Sequence, residues 1–157
     1  MPMFKRVTVN EDIHDLSKLA SEIWHESYSS MLPSEQIDYM LNKFLSVPSI
    51  KKQIEDFTEF YIITKNNQHV GFFSFVLNDT IFLSKLYVKS NYRLQGHAKS
   101  VINYLKSYVR PIELTVNVNN QRAINFYEKL GFRIVKPIKT DIGCGYFMDD
   151  YLMRYDQ

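Results

Sequence analysis

Apolar and polar positions along this chain change period several times, and each change marks an element. Residues 3–9 read as a first strand. Asn10 then caps a helix on which Ile13, Leu16, Ala20, Ile23 and Ser27 share one face. After the Pro33-Ser34 break, Ile37, Met40, Leu41 and Phe44 recur at helical spacing, and residues 49–57 form a third, shorter helix. Residues 60–64 and 70–77 are strands around Lys65-Asn66-Asn67-Gln68, a hairpin-like connection. Asn78-Asp79 turns the chain into an apolar strand over 81–88. A helix follows with Ala98, Val101, Ile102, Leu105 and Val109 as its buried stripe, then a strand over 112–118, a short helix, a strand, and a last strand over 145–155. No linker, repeat or low-complexity stretch interrupts this order. It predicts one α/β domain over residues 1–157.

Chemistry enters at the turn after the 81–88 strand. Arg93-Leu94-Gln95-Gly96-His97-Ala98 runs straight into the amphipathic helix. A strand, a small-residue turn and a helix start form an anion cradle, because the first-turn N–H groups are unpaired and the helix dipole is positive there. Gly96 lets a ligand approach the backbone with no Cβ in the way, and Ala98 is the next smallest residue. Backbone amides of Leu94, Gln95, Gly96, His97 and Ala98 would hold a phosphate or pyrophosphate, with Arg93 and Lys99 adding charge at the rim.

A second constellation lies some twenty residues on, where the helix around Asn125 has both ends marked. Asn120 is suited to cap its start, and Gly131 sits where a left-handed residue closes its end. Ala123, Tyr127 and Leu130 share a face.

Together these segments resemble the GCN5-related N-acetyltransferase (GNAT) superfamily. Arg93-x-x-Gly96-x-Ala98 matches its pyrophosphate motif, and Asn120-x-x-Ala123-x-x-Phe126-Tyr127-x-x-x-Gly131-Phe132 its second signature. The likeness spans nearly the whole chain; the N-terminal half and the ending Met148-Asp149-Asp150-Tyr151-Leu152-Met153 are most similar to small bacterial spermine/spermidine acetyltransferases. The resemblance implies a mixed, mostly antiparallel sheet flanked by helices, the acyl-CoA N-acyltransferase fold. It implies acetyl-CoA as cosubstrate and an amine acceptor. It also implies that the strand carrying Leu86, Tyr87 and Val88 splays from the next one, so that its open backbone pairs with the pantetheine arm. Tyr127 would lie near the thioester sulfur and protonate the departing thiolate. Asn120 and Lys129 are further candidates for the coenzyme.

The chain departs from the family where a base is expected. Many members carry a glutamate on the strand before the phosphate turn, whereas here it reads Ile81-Phe82-Leu83-Ser84-Lys85-Leu86. An alkyl ammonium of pKa ~10.4 is neutral in only about one part in two thousand at pH 7, so a proton must be removed. Either Ser84 and backbone carbonyls lead a water chain to solvent, or an acid arrives from the last hairpin, where Asp141, Asp149 and Asp150 are candidates. The other role open to these three is to attract a cationic amine.

Composition narrows the classes. A net charge of +2 argues against a strongly basic nucleic-acid binder, and Cys144, the only cysteine, admits no internal disulfide. The four histidines lack zinc-type spacing, so no metal is implied. No apolar run reaches the ~20 residues of a membrane span, and Met1-Pro2-Met3-Phe4-Lys5-Arg6 lacks a signal-peptide core, so a cytoplasmic chain is the expectation. Exposed strand edges admit a homodimer. The function expected is transfer of acetyl from acetyl-CoA to a primary amine, a small amine or polyamine, by direct attack. The alternatives are a protein N-terminal or lysine acetyltransferase, a non-catalytic acyl-CoA sensor, and a binder of an ordinary nucleotide.

Overall fold

The structure, a computed structural model, describes residues 2–157. Strands β1 (Met3–Arg6), β2 (Thr58–Lys65), β3 (Gln68–Val76), β4 (Ile81–Val88), β5 (Ile112–Asn117), β6 (Arg133–Gly143) and β7 (Tyr146–Tyr155) form one sheet in the order β1-β2-β3-β4-β5-β7-β6. Every neighbouring pair is antiparallel except β4 with β5. One face is covered by α1 (Asn10–Tyr28), α2 (Ser34–Leu45) and α3 (Val47–Glu55), through Leu16, Ile23, Ile37 and Ile50. On the other lie α4 (His97–Lys106) and α5 (Gln121–Lys129), through Val101, Ile102, Leu105, Ile124 and Tyr127. This is the expected mixed, mostly antiparallel α/β architecture. Among the described residues no helix is long and apolar enough to cross a membrane.

Local chemistry explains most boundaries. Asn66 and Asn67 both take positive φ, 52° and 62°, the primed turn whose twist suits a two-residue hairpin. Asn120 caps α5 by accepting a bond from the Ala123 amide at 3.1 Å, and Gly131 adopts φ 97° beyond its end. Asn120→Ala should therefore lower stability by about 1 kcal/mol, readable as a small fall in melting temperature.

Three expectations need correction. Asn10 is the first residue of α1, not its cap; Val9 holds the cap position and no side chain caps that end. The Asn10 carbonyl is instead bonded to His14 Nδ1 at 2.8 Å. The third helix begins at Val47 with Ser46 as cap, because the Ser46 side chain accepts from the Ser49 amide. Val109 leaves the buried stripe: α4 stops at Lys106, and Val109 turns out to solvent at φ 56° and 71% exposure. A helix that stops one turn earlier removes the register that would have buried it.

The β3–β4 ladder contains one irregularity. Ser74 pairs with Lys85 but Phe75 pairs with Leu83, so Ser84 is the extra residue of a β-bulge. The bulge shifts the alternation by one. Leu83, Leu86 and Val88 thus contribute to the α4–α5 face, while Tyr87 packs with the α1–α3 face.

Candidate active site

The β4–β5 ladder holds only three pairs, the last being Leu83 with Leu114. Both strands run on, to Val88 and Asn117, without pairing to each other, so the sheet opens between them. A cleft of about 500 Å³ occupies the opening. Leu86, Tyr87 and Val88 form one wall, Asn120, Ala123, Phe126 and Tyr127 of α5 another. The turn residues Arg93, Leu94, Gly96, His97, Ala98 and Lys99 close one end, and Ser27 and Tyr28 come from the end of α1, with Met31 from the turn after it.

At the turn the backbone is wound to expose its donors. Leu94 and Gly96 take φ of 63° and 84°, and Gly96 stands as the left-handed residue before α4 with no side-chain cap. Among the described residues, no acceptor within the chain takes the N–H groups of residues 94–99; the first bond of the helix runs from Ser100 N to Gly96 O at 2.9 Å. A run of unpaired amides at a helix N-terminus is an anion site. The cations nearby point the same way. Arg93 has a guanidinium pKa lowered by burial and then by the charge of Arg122, so two like charges face one region. Arg122 also sits in the first turn of α5, where a cation opposes the helix dipole. Both features are relieved by a bound anion. Space agrees: a Cβ built on Gly96 would meet nothing within 4 Å.

Deeper in the cleft the surroundings become aromatic. Tyr127 is 8% exposed and packs edge-on against Phe126 and Phe132. Burial raises its phenol pKa, with the nearby Tyr28 adding to the shift, so it stays protonated through the neutral range. The Tyr28 and Tyr87 hydroxyls are hydrogen-bonded at 2.8 Å, and Trp24 packs against both rings. His97 is buried in the turn with neither ring nitrogen partnered among the described residues; burial, then the charge of Lys65, lowers its pKa.

Of the residues singled out in the sequence, eleven line this cleft together: Leu86, Tyr87, Val88, Arg93, Leu94, Gly96, His97, Ala98, Lys99, Asn120 and Tyr127. Three do not. Gln95 turns outward and accepts from Lys65 Nζ at 3.1 Å. Lys129 is exposed in the last turn of α5. Ser84 is held in its bulge, bonded to Ser74 Oγ at 2.6 Å. Asp141 is exposed and accepts from the Gly143 amide, Asp149 is exposed, and Asp150 is buried. Arg122 went unnoticed in the sequence, although a cation beside a helix N-cap was its available signal.

A cradle of backbone donors leading into a split between parallel strands defines the acyl-CoA N-acyltransferase class of fold. Residues 13–132 match the family model described as acetyltransferase (GNAT) family. The chain belongs to the acetyltransferase (GNAT) family, and is an acetyl-CoA-dependent N-acetyltransferase. No curated protein matches it in sequence. Among solved structures it is similar to the PaiA N-acetyltransferase of Thermoplasma acidophilum in complex with coenzyme A, with 19% identity and TM-score 0.80, over 100% of this chain and 99% of that one. A GCN5-related N-acetyltransferase from Rhodopseudomonas palustris superposes with TM-score 0.81 at 15% identity, over 100% and 96% of the two chains. The ribosomal-protein-S18-alanine N-acetyltransferase of Escherichia coli gives TM-score 0.69 at 18% identity, over 99% and 94%. At these identities the likeness is one of fold.

Proposed function

We propose that residues 1–157 act as one domain that acetylates a small primary amine, of polyamine type, by direct attack of the amine on the thioester. The observation that carries this reading is the run of unpaired amides at residues 94–99, which opens on the same cleft as the Tyr127 phenol. The coenzyme diphosphate would lie on those amides with Arg93 and Arg122 beside it. Its amide-bearing arm would follow Leu86, Tyr87 and Val88, whose backbone faces the opening left by β5.

The residues then divide the chemistry. The amine nitrogen bonds to the acetyl carbon as the carbon–sulfur bond breaks and its electron pair passes to sulfur. One of the two protons that an ammonium must lose ends on the coenzyme thiol, the other in solvent. Tyr127, which lines the cleft, would donate a hydrogen bond to the departing sulfur. A thiol near pKa 8.5 already leaves well, and a phenol with a pKa raised above its usual value surrenders its proton reluctantly. Tyr127 therefore supports the thiolate more by a hydrogen bond than by full proton transfer. We expect Tyr127→Phe to lower kcat about tenfold to a hundredfold, at or below the low end for a positioned acid, with the loss falling on kcat and not on KM for acetyl-CoA.

The test is release of free thiol from acetyl-CoA in the presence of a panel of small amines, diamines and peptides. Turnover with small amines supports the proposal. Turnover with peptides alone moves the acceptor to a protein amine. Coenzyme binding without turnover for any acceptor removes the catalytic assignment.

A further inference from the structure

Among the described residues two carboxylates are buried, and they differ in one respect. Asp12, 7% exposed, is paired with Lys5 at 3.0 Å. Asp150 has the same 7% exposure as a residue but takes part in no ion pair or side-chain hydrogen bond among the described residues, and its carboxylate oxygens are not among the fully buried unpartnered atoms, so they keep an edge open. Burying a carboxylate without a partner is destabilising, and such groups are retained where something else pairs with them.

The position of Asp150 indicates what that partner is. It lies on β7 opposite Asn117 of β5, and Asn117 is three residues beyond the last β4–β5 pair, inside the opening of the sheet. Alternate residues Tyr146, Met148 and Asp150 share a strand face, and the first two pack with the α1–α3 cluster that holds Tyr28 and Tyr87. The Asp150 charge is near enough to help raise the pKa of both tyrosines. Trp24, Tyr28 and Tyr87 form a three-ring group with centroids 5.5, 5.5 and 6.1 Å apart. A lone anion beside aromatic rings is an environment for an organic cation.

Among the described residues no cation fills this role. Lys85, on the same side of the sheet, donates to Gln53 Oε1 at 3.2 Å and stands over the Phe60 ring, and its pKa is lowered to about 8 by burial alone. Lys139 of β6, opposite Asp149, lies over the Phe147 ring. Asp149 adds a second negative charge, which with burial raises the Asp150 pKa.

We propose that Asp150 is the counter-charge for a second ammonium of the acceptor, so that the preferred substrate is an aliphatic di- or polyamine. The second nitrogen sits against Asp150 and the Trp24, Tyr28 and Tyr87 rings while the terminal amine reaches the thioester beside Tyr127. This rests on the amine-acetyltransferase reading above and assigns the residue that selects among amines.

Steady-state kinetics with diaminobutane and with n-butylamine, which lacks the second nitrogen, test it in wild type and Asp150→Asn. The wild type is expected to prefer the diamine through a lower KM. In Asp150→Asn that preference should fall about tenfold or more, mainly through the diamine KM, with Asp150→Glu restoring part of it. Equal use of both amines by the wild type overturns the assignment of Asp150 while leaving the acetyltransferase reading intact. So does a variant that loses both amines in the same proportion. Failure of every amine overturns both readings.

A thermal melt of the free protein gives a second check. With its folded pKa raised, Asp150 stabilises the fold only while protonated, and that contribution is lost as pH rises through the folded pKa. Asp150→Asn should therefore raise the melting temperature at neutral pH, and by less in acid. A lower melting temperature at neutral pH would mean that the carboxylate has a structural partner, and would overturn the proposal.

Discussion

Gly71→Ala is expected to be the most damaging single substitution, lowering stability by about 3 kcal/mol or more. Gly71 lies on β3 opposite Val88 of β4. A Cβ there would fall on the Tyr87 carbonyl oxygen, 3.1 Å from Val88 Cα and 3.3 Å from Ile63 Cδ1. The first two obstacles are backbone and cannot rotate aside, so β3 and β4 would have to separate. For a chain of this size such a loss lowers the melting temperature by roughly 6–12 °C. The displaced segment, Tyr87 and Val88, is also a wall of the cleft. Coenzyme affinity should therefore fall together with stability, and a denaturant melt paired with calorimetric titration would show both. Unchanged stability would mean that the strands separate at little expense, and that the tight approach at Gly71 is incidental.

Gly96→Val should do the reverse, with a large effect on ligand and a smaller one on the fold. Here a Cβ meets nothing within 4 Å, so the chain has room for a side chain. The difficulty is the backbone: φ is 84°, a left-handed conformation that disfavours an L-residue by roughly 1–2 kcal/mol, and a β-branched one more. Relaxing that strain turns the amides of residues 94–99 away from their common focus, and the new methyl groups stand in the open space before them. We expect affinity for coenzyme A to drop about a hundredfold, equivalent to ~2.7 kcal/mol, while the melting temperature falls by only a few degrees. Titration calorimetry on the folded variant decides this. Retained affinity would place the diphosphate somewhere other than the turn.

These two glycines show where sequence reading stops. At Gly96 the signal was local: a glycine between a strand and an amphipathic helix already implied an exposed backbone. Gly71 sat in a strand with nothing beside it in sequence to explain it, because its neighbour is the Tyr87 carbonyl on another strand. The same division runs through the site. β4 was placed at Ile81–Val88 from its apolar run, and the cap and closing glycine of α5 from residues within one turn of each other. Such features depend on atoms a few residues apart. Asn10 misled because Asn, a good cap by type, also fits a first helical turn, and only its backbone angles separate the two.

What the sequence determined by itself was the succession of elements, the strand–turn–helix at residues 93–98 and the presence of Tyr127 on a helix face. It did so because capping, periodicity and turn chemistry act within a few residues of chain. The tertiary structure decided which faces those elements present to one another. Strand register placed the bulge at Ser84 and turned that hydroxyl toward Ser74. It limited the β4–β5 ladder to three pairs, and so opened the cleft. It brought Arg122 toward Arg93 and set Asp150 near two tyrosines with no ion-pair partner among the described residues. Each of these is an encounter between residues remote in the chain, and its energy exists only once the strands have paired.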